Sequence, residues 1–371
     1  MKITHIETYP VRIPLKPTRH MITALGKHTE SLYLLVRVGT DADIEGAGEA
    51  TVMPTWSGET VWSAQALIEQ VFAPLLIGVD PCAIEEVDRR LDRAARHNWF
   101  TKAALEMACW DIRGKAAGKP VYELLGGPVR PLAVRCRFSM GAYEPARAAA
   151  RAKELVAEGF DTIKVKVGGD PREDIARVRA VREAIGLKPA LTIDANCGWE
   201  VETAIACVRA LEDCRLALDE QPTPDGDYAG LARVRRETTP PVMADDICFD
   251  LIHARELLRG SCCDVISVYP GKNGGIAKSR AIAELAAQRG VACSIGSNLE
   301  WDVGTAAMGH LVVATANLQV EKYPGDMLGP AYHEVRIVKE PIAIEGPTVT
   351  VPDRPGLGVE VDWELVREHL C

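Results

Sequence analysis

The sequence predicts an α/β protein: a (β/α)8-type TIM barrel with an α+β capping domain formed by the N-terminal region and the C-terminal segment. Three observations predict it. Strand-like and helix-like segments alternate from residue 126 to residue 321, as in a parallel sheet with helical crossovers. Asp194, Glu220 and Asp245 recur about every 25 residues at the ends of the apolar runs LTIDAN, LALDEQP and PVMADD. That interval is one strand, loop, helix and loop. Finally, residues 1–125 run as strands followed by helices, and residues 322–371 turn β-like again at PIAIEGPTVTVP, so both ends stand outside the alternation.

Each element has its own signal. MKITHIETYPVRIP, SLYLLVRVGTD and IEGAGEAT are rich in β-branched residues and end in turn formers, which reads as a meander. The polar segment KPTRHMITALGKHTE between the first two is too long for a hairpin turn, and with TVMPTWSGETVW it is expected to act as a lid. AQALIEQVFAPLL, CAIEEVDRRLDRAA and TKAALEMACWDIRGKAAG place apolar residues at i, i+3 and i+4, the helical period. Eight strands are then expected, at AVRCRFSM, DTIKVKV, LTIDAN, LALDEQP, PVMADD, DVISVYP, VACSIGS and NLQVEKY. Helices such as REDIARVRAVREAI and GGIAKSRAIAELAAQRG lie between them. Eight such units specify a barrel rather than an open sheet. The C-terminal segment is expected to pack back on the cap.

Composition excludes some classes. At 371 residues the chain exceeds one usual core, and a formal charge of -9 without dense basic clusters argues against nucleic-acid binding. No apolar run is long enough to span a membrane, and the N-terminus lacks a signal core. The eleven cysteines show no C-x-x-C pair with zinc-like spacing. Buried free thiols and a cytoplasmic location are the expectation.

A barrel places its active site at the carboxyl ends of its strands. There the chain offers Lys164 and Lys166, then Asp194, Glu220, Asp245, Tyr269 and Glu300. Three converging carboxylates repel one another unless a cation compensates them, and hard oxygen donors suit Mg²⁺ better than zinc. Asn196 and Gln221 follow these acids closely enough to support them. Lys164 and Lys166, two apart on one strand, face the same way. Two adjacent ammonium groups disfavour double protonation, so one is expected to fall toward neutrality and serve as a base. Base plus metal points to removal of a proton alpha to a carboxylate, giving an enediolate that the metal stabilises.

These residues resemble the enolase superfamily, and within it the muconate lactonizing enzyme subgroup, over essentially the whole chain. TKAALEMACWDIRGKAAGKPVYELLGG is similar to the family's last cap helix and barrel junction, and NGGI and PGLGVEVD are similar to family signatures. The resemblance implies Lys166 as base, Lys164 as the neighbour that tunes it, and Asp194, Glu220 and Asp245 as Mg²⁺ ligands. It implies that Glu300 hydrogen-bonds the substrate carboxylate or a lysine. The mandelate racemase subgroup, with a His base on the seventh strand and an Asp on the sixth, is disfavoured, because VACSIGSN and DVISVYP hold neither. Relatives commonly form homo-oligomers, which is expected here too.

Where the subgroup carries a second catalytic Lys, five residues before a GG pair, this chain has Tyr269, with Lys272 nearby in VYPGKNGG. Asp246 stands where the family commonly has Glu, a shorter side chain that fits the absence of that Lys. Asn317 and Gln319 stand where dipeptide epimerases present paired acids to an ammonium group, which disfavours a dipeptide substrate. His20, Met21, Lys27 and Trp56 on the lid loops are candidate substrate contacts. The expected reaction is therefore one-base elimination (a dehydratase) or cycloisomerisation of a small carboxylate. The alternative is a racemase or epimerase of an amino acid derivative with Tyr269 or Lys272 as second acid/base, and a remoter one is an idle metal-binding homologue.

Overall fold

In a computed structural model, which describes residues 1–371, the alternating N-terminal run forms the strand Ile3–Pro14. It pairs antiparallel with Glu30–Thr40, which pairs with Glu45–Ala50. The lid segment between the first two is itself a hairpin, Met21–Thr23 against Gly26–His28. Its tight turn uses Gly26 at φ +124°, a conformation other residues rarely adopt. The helix Trp99–Ala117 is buried along most of its length. It lies so close to the third strand that a Cβ on Gly48 would stand 1.7 Å from the carbonyl oxygen of Ala104. Only glycine admits that approach.

Seven parallel strands follow and pair in chain order as one curled sheet: Phe138–Met140, Thr162–Lys166, Ala190–Asp194, Leu218–Glu220, Val242–Ala244, Val265–Val268 and Ala292–Ile295. Helices such as Pro171–Ile185 and Ile276–Ala287 cross between them. The expected eighth strand is reduced to one parallel bridge, Leu318 with Cys293. Gln319 N donates to Cys293 O (2.8 Å), and on the opposite edge Arg137 N donates to Gly325 O (2.8 Å). The segment is short because the backbone turns directly after it, Lys322 N (3.0 Å) and Tyr323 N (2.8 Å) both donating to Gln319 O.

The run AVRCRFSM does not stay one strand. Ala133–Arg135 leaves the parallel sheet and pairs antiparallel with Thr348–Thr350 of the C-terminal hairpin, so that hairpin joins the run leading into the parallel sheet rather than the cap. The last residues do reach the N-terminal strand: Val11 bridges Leu370, and Tyr9 lies 4.9 Å from Trp363 between ring centroids. One buried apolar cluster extends from Ile3 to Val366, so cap and sheet share a core. All eleven cysteines are free, and no helix is long and apolar enough to cross a membrane.

Candidate active site

Strand alternation decides which side chains enter the site. Lys164 and Lys166 both line a cavity of about 80 Å³ beyond the strand ends, with Asn196, Glu220, Asp245 and Asp246. The lid covers it from the other side. Met21 and Thr23 on one arm of the hairpin, Gly26 and His28 on the other, and Met53 and Trp56 from the next loop complete the wall.

The acids are held by cations. Lys164 Nζ donates to Asp194 Oδ2 (2.8 Å) and Glu220 Oε1 (2.9 Å), and Lys166 Nζ donates to Asp194 Oδ2 (2.5 Å) and Asn196 Oδ1 (2.6 Å). Burial opposes ionisation of Asp194, yet the two ammonium groups hold its carboxyl well below the usual carboxylate range. Burial also pushes Glu220 up, against Arg137 and Lys164. The expected depression by a like-charged neighbour is not met at Lys164. Burial and the Arg137 guanidinium lower it, but Asp194 and Glu220 together outweigh them and hold it above its ordinary range.

With the lysines among the carboxylates, no three acidic, His or Cys side chains are gathered closely enough to hold a metal ion. The donor set nonetheless fits Mg²⁺. Glu220 and Asp245 open on one cavity, Asp194 adjoins Glu220 through Lys164, and all three offer only hard oxygens. The backbone around them is specialised. Asn196 (φ 42°), Gln221 (φ 39°) and Leu299 (φ 60°) adopt left-handed conformations at the strand ends, where such strain is characteristic of functional sites. Gln221 Oε1 accepts from Asp245 N (2.9 Å), and Asn196 N donates to Asp194 Oδ1 (2.9 Å), so both amides orient the acids. Asn196 Nδ2 also donates to Asp246 Oδ2 (3.4 Å), and Asp246 is pushed well up by burial and then by Asp245 and Asp194.

Several expected residues stand elsewhere. Lys272 has no exposed surface and does not line the cavity. Its Nζ donates to Asp245 Oδ1 (2.7 Å), Asp245 O (2.7 Å) and Ser267 O (3.0 Å). Tyr269 is also fully buried and outside the lining, and its hydroxyl has no hydrogen-bond partner. Its ring packs 5.7 Å from Trp56, with Lys272 Nζ 4.7 Å from its centroid. Glu300 touches no lysine and does not line the cavity. It accepts from Ser297 Oγ (2.7 Å) and Asn298 N (3.0 Å), and burial pushes it up to about 7. In closing its own loop it presents Ser297, Asn298 and Leu299 instead. His20 is absent from the wall and meets Tyr143 through its carbonyl, while Lys27 is exposed because the hairpin turns its neighbours Gly26 and His28 inward.

Asn317 and Gln319 lie beside Cys293 near the start of the seventh strand, far back from the strand ends. Asp326 is the residue of that segment that reaches the cavity. A strand placed too early concealed it. Arg137 was also missed: it is buried, and its Nη2 donates to Glu220 Oε2 (2.9 Å). Its only signal was a charge in the apolar run AVRCRFSM, two residues after Arg135.

Comparison with known proteins agrees with this architecture. Residues 3–126 match the family model described as mandelate racemase / muconate lactonizing enzyme, N-terminal domain, and residues 147–365 match the one described as enolase C-terminal domain-like. The chain is 32% identical to L-Ala-D/L-Glu epimerase of Bacillus subtilis (strain 168), covering 97% of each chain. It is also 32% identical to muconate cycloisomerase 1 of Rhodococcus opacus, over 99% of this chain and 98% of that one. A dipeptide epimerase structure from Enterococcus faecalis V583, complexed with Mg and the dipeptide L-Leu-L-Tyr, superposes with a TM-score of 0.92 at 32% identity, covering 97% of this chain and 100% of that chain. Fold, family models and relatives agree, and the chain belongs to the mandelate racemase / muconate lactonizing enzyme family of the enolase superfamily.

Proposed function

We propose that the protein abstracts the proton alpha to the carboxylate of a small substrate with Lys166 as base, and completes a one-base elimination or cycloisomerisation. One observation carries this reading. Of the amines and phenols near the strand ends, Lys164 and Lys166 face the cavity, while Lys272 is bound on three sides and Tyr269 is shut behind the wall. Bonds to Asp194 and Asn196 leave one tetrahedral position of the Lys166 nitrogen for the substrate proton. That proton then returns from the same nitrogen to the leaving group. Lys164 bridges Asp194 and Glu220 beside it and offsets part of their charge. Mg²⁺ held by Asp194, Glu220 and Asp245 would supply charge against the carboxylate as it becomes an enediolate.

The same reading takes the curled sheet as a closed eight-stave barrel, with residues 317–325 as the last stave, supported by their bonds to both sheet edges. Residues 1–125 would close the site, residues 126–321 carry the chemistry, and residues 322–371 brace the two.

Asp326 favours a second reading. It lines the cavity, gives one oxygen to Leu328 N (3.0 Å) and has no cationic partner, so it could receive an ammonium group. An amino acid derivative with a free amine would fit it, and epimerisation would then need Tyr269 to become accessible. The test is to incubate the Mg²⁺-loaded protein with hydroxy acids, proline derivatives, N-acylated amino acids, dipeptides and muconate-type lactones and identify products by NMR. Elimination or ring opening that Lys166→Ala abolishes is expected. Epimerised product whose formation Tyr269→Phe abolishes would replace the one-base reading with the second.

A further inference from the structure

The sheet carries another cavity, of about 510 Å³, at its opposite end. Thr162, Ala190 and Leu218 in its wall are the first residues of their strands. Positive charge dominates that wall: Arg130, Arg135, Arg137 and Lys322 line it, against Asp161 and Glu321. Both carboxylates are already engaged, Asp161 with Arg135 and Glu321 with Arg130, each at 2.8 Å. Lys322 has no carboxylate, and its Nζ lies 4.9 Å from the centre of the Tyr323 ring.

Two buried polar groups in the wall are unmet. Arg137 is 1% exposed and spends its Nη atoms on Glu220 and Pro324 O, but its Nε has no partner. Thr192 is 4% exposed, and its hydroxyl has none either. Buried donors of this kind are met in folded proteins by a ligand or by ordered water. Water satisfies the hydrogen bonds but leaves the surplus positive charge.

We propose that this cavity binds a small oxyanion, a carboxylate or a phosphate, which accepts from Arg137 Nε and the Thr192 hydroxyl and is neutralised by Lys322. Charge-assisted bonds of this type are the strong ones, and Arg geometry suits both anions. Arg137 is then the side chain common to both ends of the sheet, through its bond to Glu220. The site does not depend on the chemistry proposed above.

The test is calorimetric titration of the metal-free 371-residue protein with inorganic phosphate and, separately, with succinate. One saturable site is expected for at least one probe. Thr192→Val and Lys322→Gln should each weaken it about tenfold or more, the scale of one lost charge-assisted bond. Lys166→Ala, in the other cavity, should leave it unchanged. Response to phosphate alone identifies a phosphate site, and response to succinate alone a carboxylate site. No saturable binding of either probe up to about 50 mM, or binding that neither Thr192→Val nor Lys322→Gln weakens, overturns the proposal and leaves the cavity to water.

Discussion

Lys272 Nζ lies 2.7 Å from Asp245 Oδ1 and 2.7 Å from the Asp245 carbonyl oxygen, and Lys272 has no exposed surface. The lysine neighbouring the missing catalytic position thus serves to hold an acid of the site. Removing one member of a buried pair leaves the other charge uncompensated, at about 3–5 kcal/mol. Lys272→Met should therefore lose about that much stability in chemical denaturation. Mg²⁺ should raise the melting temperature of this variant more than that of the wild type, because Asp245 has lost its competing cation. A stable Lys272→Met protein lacking only turnover would instead make Lys272 an acid/base.

Tyr269 carries a buried hydroxyl with no partner. Deleting such a group removes a desolvated polar atom without breaking a bond. Tyr269→Phe should be neutral or up to about 2 kcal/mol more stable, with turnover retained. Denaturation and steady-state rates measured together separate this from a catalytic phenol, whose loss would lower the rate and leave stability unchanged.

His310 is pushed down to about 4 by burial. Its Nδ1 accepts from Tyr122 N (3.3 Å) and its Nε2 lies 3.1 Å from Leu357 O. The ring is neutral in this network, and a proton on Nδ1 would displace the Tyr122 bond. The folded value lies below the ordinary histidine value, so the unfolded chain binds the extra proton between about pH 6.5 and about pH 4. Stability should fall as pH falls through that window, by up to about 1.4 kcal/mol per pH unit from this residue. His310→Gln, less stable at pH 7, should show a flatter stability curve between pH 6.5 and pH 4.

Gly48 faces the Ala104 carbonyl, and an added Cβ would stand 1.7 Å from that oxygen. The obstacle is helix backbone, which cannot rotate aside. Gly48→Ala should cost at least about 1–3 kcal/mol as overpacking. A denaturation midpoint equal to the wild type would show that the cap yields more easily than its packing implies.

The parts of the site legible in the sequence are those governed by local rules. Asp194, Glu220 and Asp245 end apolar runs, and i, i+2 spacing on a strand brings Lys164 and Lys166 to one face, as the cavity shows. Contacts across the fold were not legible. The spacing of Tyr269 from the GG pair identifies its position, but its burial behind Trp56 depends on how the helical turn Pro54–Ser57 packs. Arg137 and Asp326 are charges in otherwise apolar or turn-forming runs, and their roles depend on where two strand segments end. The run AVRCRFSM looks continuous, yet it divides because its first three residues find a second partner in Thr348–Thr350, more than 200 residues away. Glu300 resembles a substrate ligand by position, and its bonds to Ser297 and Asn298 of the adjacent loop could not be read from the sequence.

The central claim is that proton chemistry proceeds from one face, that of Lys166, and its direct test is solvent-deuterium incorporation with the first substrate the carboxylate panel yields. The account predicts deuterium at the alpha carbon of recovered substrate with configuration retained, abolished in Lys166→Ala and preserved in Tyr269→Phe. Deuterium incorporation with inversion of configuration, abolished by Tyr269→Phe, would contradict it.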